Sequence, residues 1–420
     1  MKDGFLQEKK STKELILDAA FSFYTKPYIR DFSMSELAAK VGLSKPAIYR
    51  HFKNKAGLQK EMQTYFFTLI AHTLKNAQEN SEKADCGKEY LESLIVFFAE
   101  NIQYINYFIC EVIVEQDFFY LMDKELASCG VMKKMEDIID LSDEVYSRAR
   151  NSFVGISILF FIKARKDTIA RKERVSSVEQ FASSVVGFLG KGLRGFSKQG
   201  EPAWPSEISS GRFSELEKLC SIKNLDLPEE NKIFRAISSV IRKFSTAGVT
   251  VERIAGELGM AKSSLYFYFE NKNQMIFTLV KKEMSLLFMI CQENLAEARN
   301  FSEMIYVALM TEINFFLDRS SMLSICGWLL QTSNREAFTH SDDDENFEQN
   351  SRWAKYLKDV VSRLGFGFKI VPDILRFWIG SLPVAASSLK FYANFNEEQI
   401  VQTVKYLFGF VENGVLEEKK

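Results

Sequence analysis

The sequence predicts an all-α chain built as two tandem units. Three observations carry that expectation. Only 7 prolines and 21 glycines occur in 420 residues, too few for many short strands and tight turns. Apolar residues recur at helical spacing in the segments where a period can be read. A stretch of 23 residues, Ser33 to Lys55, recurs without a gap as Thr250 to Lys272, 217 positions later.

The first element expected is an amphipathic helix over Lys13 to Tyr24, with Leu15, Ile16, Ala19, Ala20 and Phe23 on one face. Ser33 and Glu36 are spaced as a capping box, in which a hydroxyl and a carboxylate satisfy the first free amides of a helix. That helix should run to Val41 and stop at Gly42, a residue suited to a left-handed cap. Ser44 then caps a second short helix, Lys45 to Phe52, with Pro46 in its first turn where a missing N–H costs nothing. Helix, three-residue turn and helix make a helix-turn-helix. The second unit repeats the pattern from Thr250, and Ala38/Ala255, Gly42/Gly259, Lys45/Lys262, Tyr49/Tyr266, Phe52/Phe269, Asn54/Asn271 and Lys55/Lys272 are identical pairs. Weaker echoes follow: Arg150, Phe153 and Gly155 against Arg376, Trp378 and Gly380, and Val186 to Leu189 against Val404 to Leu407.

Because the repeat offset is about half the chain, each copy is a whole domain set and not a solenoid unit. The Gly-, Ser- and Pro-containing stretch from Gly195 to Glu230 reads as a linker with a short helix at Phe213 to Cys220. Extended, it would span up to about 100 Å, so by itself it leaves the arrangement of the copies open.

Composition sets the broad class. Apolar residues make up 46% and charged residues 26%, the balance of a globular protein. The net charge of −1 points to no polyanionic partner, but its distribution does. Lys9 to Lys60 holds eleven Lys/Arg against four Asp/Glu, and Glu230 to Lys282 nine against four, which is the footprint of two phosphate-binding surfaces. The six cysteines lie far apart with no C-x-x-C pair, as expected of isolated thiols in a reducing cytosol. The first ten residues hold no apolar signal region. The longest apolar stretch, Phe153 to Ile162, is far short of the ~20 residues a membrane span needs. The expectation is a cytoplasmic protein without membrane contact.

Leu37 to Lys55, with its Tyr-x-x-Phe-x-x-Lys ending, resembles the DNA-binding signature of the tetracycline-repressor (TetR) family, and Ile254 to Lys272 resembles it again. The resemblance covers about fifty residues per copy. It implies two fused regulator units: helix-turn-helix domains at 9–60 and 229–277, helical ligand and dimerisation domains at 61–195 and 278–420, and a linker at 196–228. It also implies a double-stranded DNA operator, a small-molecule effector held within 65–180 and 285–395, and no cofactor. In such a motif the start of the second helix lies at base edges in the major groove. That places Lys45, Pro46 and Ala47 there in copy one, and Lys262, Ser263 and Ser264 in copy two. Lys can read guanine, Ala or Pro a thymine methyl, and Ser either partner. Tyr49, His51 and Lys55, with Tyr266, Tyr268 and Lys272, resemble the family's backbone-contacting positions. Ser33, Ser44, Arg50 and Thr250 complete the DNA-facing set.

Three departures weaken the match. Tyr28 stands where the family usually has glycine, which should reshape that turn of copy one. Arg50 becomes Phe267 and Lys53 becomes Glu270, and an acidic side chain near phosphates should make copy two grip DNA less firmly. TetR-type regulators are usually homodimers that pair their last two helices as a four-helix bundle. Here those would be Ser142–Lys166 with Val175–Arg194, and Pro372–Tyr392 with Glu397–Gly414. The leading expectation is therefore a repressor acting as an intramolecular pseudo-dimer on an asymmetric operator, released by a small apolar effector. Further dimerisation of the chain, giving four heads, is a second reading. A ligand-binding or interaction protein whose heads have decayed is a third.

The remaining features are plainer. His51, His72 and His340 have no ligand spacing, so no metal site is expected. Asp342 to Glu345 reads as a solvated loop. No phosphate loop, nucleophile elbow or catalytic carboxylate pair is present, so an enzyme is not expected. Aromatic clusters at Phe97–Phe98, Tyr104, Tyr107–Phe108 and Phe118–Tyr120 read as core before they read as a pocket.

Overall fold

The computed structural model describes residues 11–25, 32–80, 87–108, 118–131, 145–196, 208–223, 225–244, 249–331, 352–363, 366–367 and 372–415. These residues form nineteen α-helices and no strand. No helix among them is long and apolar enough to cross a membrane. Tyr28, His340 and the acidic run 342–345 lie outside the described residues. The chain divides into two compact units, Met1–Asp140 and Leu141–Lys420.

The first unit opens with α1 (Thr12–Phe21), started by a capping box between Ser11 and Glu14. The helix ends three residues before Tyr24 because Ser22–Thr25 tightens into a 3-10 turn. Then come α2 (Met34–Val41), α3 (Lys45–His51) and α4 (Lys55–Glu79). Ile16, Ala20, Leu37, Ile48, Phe52 and Leu58, one or two from each helix, are almost fully buried, so the three short helices share one small core with the start of α4. The upper half of the unit adds α5 (Gly87–Glu100), α6 (Ile102–Tyr107) and α7 (Phe118–Ser128). Phe21 meets Tyr104 and Tyr107 edge-on at 4.8 and 4.9 Å, and Phe66 meets Tyr107 at 5.6 Å. Phe97 stacks on Tyr104 at 5.3 Å. The aromatic cluster of α5 and α6 is thus core packed onto α1 and α4, each fully buried ring stabilising by roughly 1.5–3 kcal/mol.

The second unit begins with α8 (Val145–Ala170) and α9 (Val178–Lys191), the last two helices of the first copy. The segment that follows includes α10 (Ser210–Leu219), started by Ser209. Next come α11 (Lys232–Phe244), α12 (Val251–Glu257), α13 (Lys262–Tyr266) and the long α14 (Lys272–Ala296). The unit closes with α15 (Phe301–Asp318), α16 (Ser320–Gln331), α17 (Arg352–Arg363), α18 (Pro372–Tyr392) and α19 (Glu397–Asn413).

Helix α10 does not hang free between the copies. Arg212 grips the carboxylate of Glu303 on α15 through Nη2 at 2.8 Å and Nε at 3.1 Å. Tyr306 donates to Glu217 at 2.9 Å, and Asn314 donates to the Cys220 carbonyl at 2.9 Å. Part of the sequence-predicted linker is therefore fastened to the second copy's core, which the polar composition of the stretch did not suggest.

The centre of this unit is built by α8, α9, α18 and α19. Trp378, fully buried, donates its indole N–H to Ser157 at 3.0 Å and lies 5.9 Å from Phe153 and 5.3 Å from Phe188. At the ends of α9 and α19 the backbones touch. Leu193 N donates to Val411 O at 2.8 Å, and Val415 N donates to Leu189 O at 2.7 Å. The residues that end the two helices, Gly192 and Gly414, have φ of 58° and 78°. A Cβ on Gly192 would sit 2.5 Å from the Glu412 carbonyl, and one on Gly414 would sit 2.4 Å from Gly190 C. Only glycine permits both the left-handed turn and the approach.

Two predictions follow from this packing. Gly192→Ala and Gly414→Ala should each cost about 2–4 kcal/mol of unfolding free energy, from left-handed strain plus overpacking. Gly187→Ala and Gly409→Ala, in the same helices with nothing within 4 Å of the added atom, should be neutral or stabilising in the same denaturation experiment. Separately, burial pushes the Glu312 carboxyl up to about 8 from its ordinary 4.5, although Arg376 pulls the other way. A folded-state pKa above the unfolded one means a contribution present below 4.5 and lost as pH rises through about 8. Thermal unfolding of Glu312→Gln should therefore depend less on pH across that window than the parent does.

Candidate nucleic-acid interface

The first copy's reading helix is positioned by caps and by two buried anchors. Ser33 Oγ accepts from Glu36 N at 3.1 Å, and Ser33 N donates to the Glu36 carboxylate at 2.6 Å. Hydrogen bonds from the Ser33 backbone N–H and then its side chain hold the Glu36 carboxyl below its ordinary pKa. Gly42 takes the left-handed cap at φ 74°, and Leu43 N closes onto Ala38 O at 2.9 Å. Ser44 Oγ accepts from Ala47 N at 3.3 Å and starts α3. Ile48 and Phe52 are buried, which turns the opposite face outward: Lys45, Pro46, Tyr49, Arg50 and His51 are exposed and Ala47 is half-buried. Among the described residues Lys45 has no carboxylate partner.

The second copy repeats the frame with different chemistry. Thr250 Oγ1 accepts from Arg253 N at 3.3 Å, and Met260 N closes onto Ala255 O at 3.0 Å, the counterpart of the Leu43 bond. The cap of the reading helix is missing, however: Ala261 stands where the first copy has Ser44 and offers no side-chain bond. Helix α13 accordingly spans Lys262–Tyr266, against Lys45–His51 for α3. Leu265 is the buried anchor, with Phe269 half-buried beside it. Lys262, Ser263, Tyr266 and Tyr268 are exposed and Ser264 is half-buried.

Residues 16–62 and 233–279 each match the family model for bacterial regulatory proteins of the tetR family. The chain carries two TetR-family DNA-binding domains. It is a DNA-binding transcription regulator of that type, and the two matches are offset by the same 217 residues as the repeat. Both matches end within the second turn of α4 or α14. No curated protein matches the chain.

Within the two TetR heads the structure sorts the sequence-predicted positions into groups. Lys45, Pro46, Tyr49, Arg50 and His51 share the open face of α3, and Lys262, Ser263, Tyr266 and Tyr268 share that of α13 and its following turn. Ser33, Ser44 and Thr250 spend an oxygen lone pair on a cap. Lys55 and Lys272 turn back on their own heads. Lys55 Nζ lies 5.3 Å from the Phe32 ring centre, and Lys272 donates to Val249 O at 2.9 Å. Residues 32 and 249 are equivalent in the repeat, so both lysines brace the entry to the first helix of the motif.

Sequence reasoning missed one residue and undervalued another. Glu252 forms an ion pair with Lys262, whose ammonium also lies 5.6 Å from the Tyr266 ring centre. The hydrogen bond between them lowers the Glu252 pKa and raises that of Lys262. The exchange of Ser35 for Glu252 was visible in the aligned copies. Phe267, where copy one has Arg50, is 84% exposed and edge-on to Tyr268 at 5.1 Å.

The capping difference is testable. Ser44→Ala should destabilise the first head by about 1 kcal/mol, and Ala261→Ser should stabilise the second by a similar amount. Amide hydrogen exchange over 45–52 and 262–269 reads both; equal protection in parent and variants would contradict the assignment.

Proposed function

We propose that the chain is a repressor that works as a single-chain pseudo-dimer on an asymmetric operator and is released by a small apolar effector. The observation that carries this is the reciprocity in the second unit. Leu193 bonds Val411 while Val415 bonds Leu189. Matching the two terminal glycines, Gly192 with Gly414, shifts the pairing four residues from the Val186/Val404 echo to 189/411 and 193/415, and in that register each bond is the other's mate. A two-fold interface has this property: if residue i meets j, then j meets i. Phe153 and Trp378, equivalents in the weaker downstream echo, face each other at 5.9 Å, as equivalent residues do next to such an axis. The fold of α8, α9, α18 and α19 thus has the form of a dimer interface formed within one polypeptide.

The remaining assignments follow from that reading. Domains 9–60 and 229–277 are the heads, 61–195 and 278–420 the helical ligand and dimerisation domains, and 196–228 the connection. Lys45, Pro46 and Ala47 face base edges in one half-site, and Lys262, Ser263 and Ser264 in the other. Tyr49, Arg50, His51, Tyr266 and Tyr268 meet the backbone, with Ser33, Ser44, Lys55, Thr250 and Lys272 supporting the approach. Because the two reading sets differ, the two half-sites differ, and the operator has no palindrome. The effector favours the conformation in which the heads misfit the groove.

Selection of bound sequences from random duplex DNA, using the parent beside Tyr49→Ala and Tyr266→Ala, tests this. An asymmetric site weakened by both substitutions is expected. A site weakened by Tyr49→Ala alone would make the second copy a structural partner, and no enrichment would overturn the reading. Light scattering should give one chain mass, 48.3 kDa; a particle of twice that mass overturns the single-chain pseudo-dimer.

A further inference from the structure

The two heads share a backbone and differ in charge. Residues 33–60 hold six Lys/Arg against one Asp/Glu, whereas the equivalent 250–277 hold three against three. Each of those three cations is engaged within the protein. Lys272 donates to the Val249 carbonyl, Arg253 lies 4.3 Å from the Phe244 ring centre, and Lys262 is paired with Glu252. The nearby Lys243 is paired with Glu257 at 2.8 Å, where the first head has Lys40 in place of that glutamate. In the first head the counterpart of Glu252 is Ser35, and Lys45 has no carboxylate partner among the described residues.

We propose that Glu252 sets what the second head reads: of the three residues facing the bases it holds Lys262 back and leaves Ser263 and Ser264 to meet them, with Tyr266 on the DNA backbone. The proposal rests on the reading of this segment as a working DNA-binding head. A free lysine at the start of a reading helix finds guanine O6 and N7. One that keeps a carboxylate beside it brings that negative charge towards the phosphates and releases no counterion. An exposed ion pair contributes little to folding, and the first head folds the same turn with Ser35 at that place, so the pair is not there to hold the helix. The three cations of 250–277 then add little to the salt dependence, and this part of the second head selects sequence with hydroxyl groups.

The test uses the full chain as parent, Glu252→Ser, Glu252→Gln and the double variant Glu252→Ser with Lys262→Ala. Two readouts are taken: the site selected from random duplex DNA, and the slope of log affinity against log salt. Freeing Lys262 should add a guanine to the second half-site, steepen the slope by about 0.9, the value for one more phosphate neutralised, and raise affinity for the guanine-bearing site on the order of tenfold. The double variant should lose all three gains. If both single variants keep the parent's half-site and slope, the proposal is overturned, while the two-head reading stands as long as Tyr266→Ala erases that half-site. Gains that survive in the double variant also overturn it, because they come from removing a carboxylate and not from releasing Lys262. If the parent selects only the first half-site, the two-head reading falls; the proposal is then decided by whether Glu252→Ser creates a second half-site.

Discussion

The backbone contact at the ends of α9 and α19 is the constraint on which the second unit depends. Two helix termini approach closely enough for Leu193 and Val415 each to donate an amide across the gap. That approach is open only to a residue without a Cβ, and Gly192 and Gly414 each stand against the backbone of the opposite terminus. Termini are where a helix has carbonyls left over, so the contact satisfies polar groups that burial would otherwise leave costly. Once the ends are fixed, the aromatic faces of α8 and α18 are set against one another, and Trp378 reaches Ser157 with its one polar atom. Helices encoded more than two hundred residues apart thereby share one core. The compact units of the chain consequently divide at Asp140 and not at the boundary between the copies.

The heads follow a different rule. Each is a small core anchored by a few buried side chains, Ile48 and Phe52 in one and Leu265 in the other. These anchors determine which face of the reading helix points outward and leave the chemistry of that face unconstrained. Ser44 can become Ala261, Arg50 can become Phe267 and Ser35 can become Glu252 while the turn between the helices keeps the same hydrogen bond, Leu43 to Ala38 or Met260 to Ala255. A cap is worth about 1 kcal/mol, and its loss shortens the reading helix by two residues without undoing the motif. Shape and charge are thus separable here.

Much of the fold was legible in the residues. The capping box at Ser33 and Glu36, the left-handed stop at Gly42 and the Ser44 cap all occur as their spacing predicts, because each depends on neighbours three or four positions away. The helix Pro372–Tyr392 has the expected bounds. The docking of α10 was not legible: Arg212 finds Glu303 ninety-one positions away, and a polar stretch with Gly, Ser and Pro gives no local sign of such a partner. The inward turn of Lys55 and Lys272 escaped for the same reason. A lysine three residues past Phe52 or Phe269 reads as a surface cation until Phe32 and Val249 are placed beside it. In the candidate site, exposure followed from amphipathic spacing, but the pairing of Lys262 required the distance to Glu252.

Carrying two copies in one polypeptide allows them to stay alike in one place and differ in another. In a homodimer each substitution appears twice, so a change that helps one half-site is imposed on the other. In one polypeptide the copies vary separately, so a position is held to match either by its own local geometry, as at the positive-φ Gly42 and Gly259, or by contact with its counterpart. Gly192 and Gly414 are such a pair, since a side chain on either collides with the other terminus. Phe153 and Trp378 are another, large and aromatic on both sides because each fills the space the other leaves. Ser35 and Glu252 are each exposed on their own head, and nothing in the packing of either head resists their divergence. The pairs that meet thus keep their size class, Gly192 with Gly414 and Phe153 with Trp378, while the exposed pair of Ser35 and Glu252 keeps neither size nor charge.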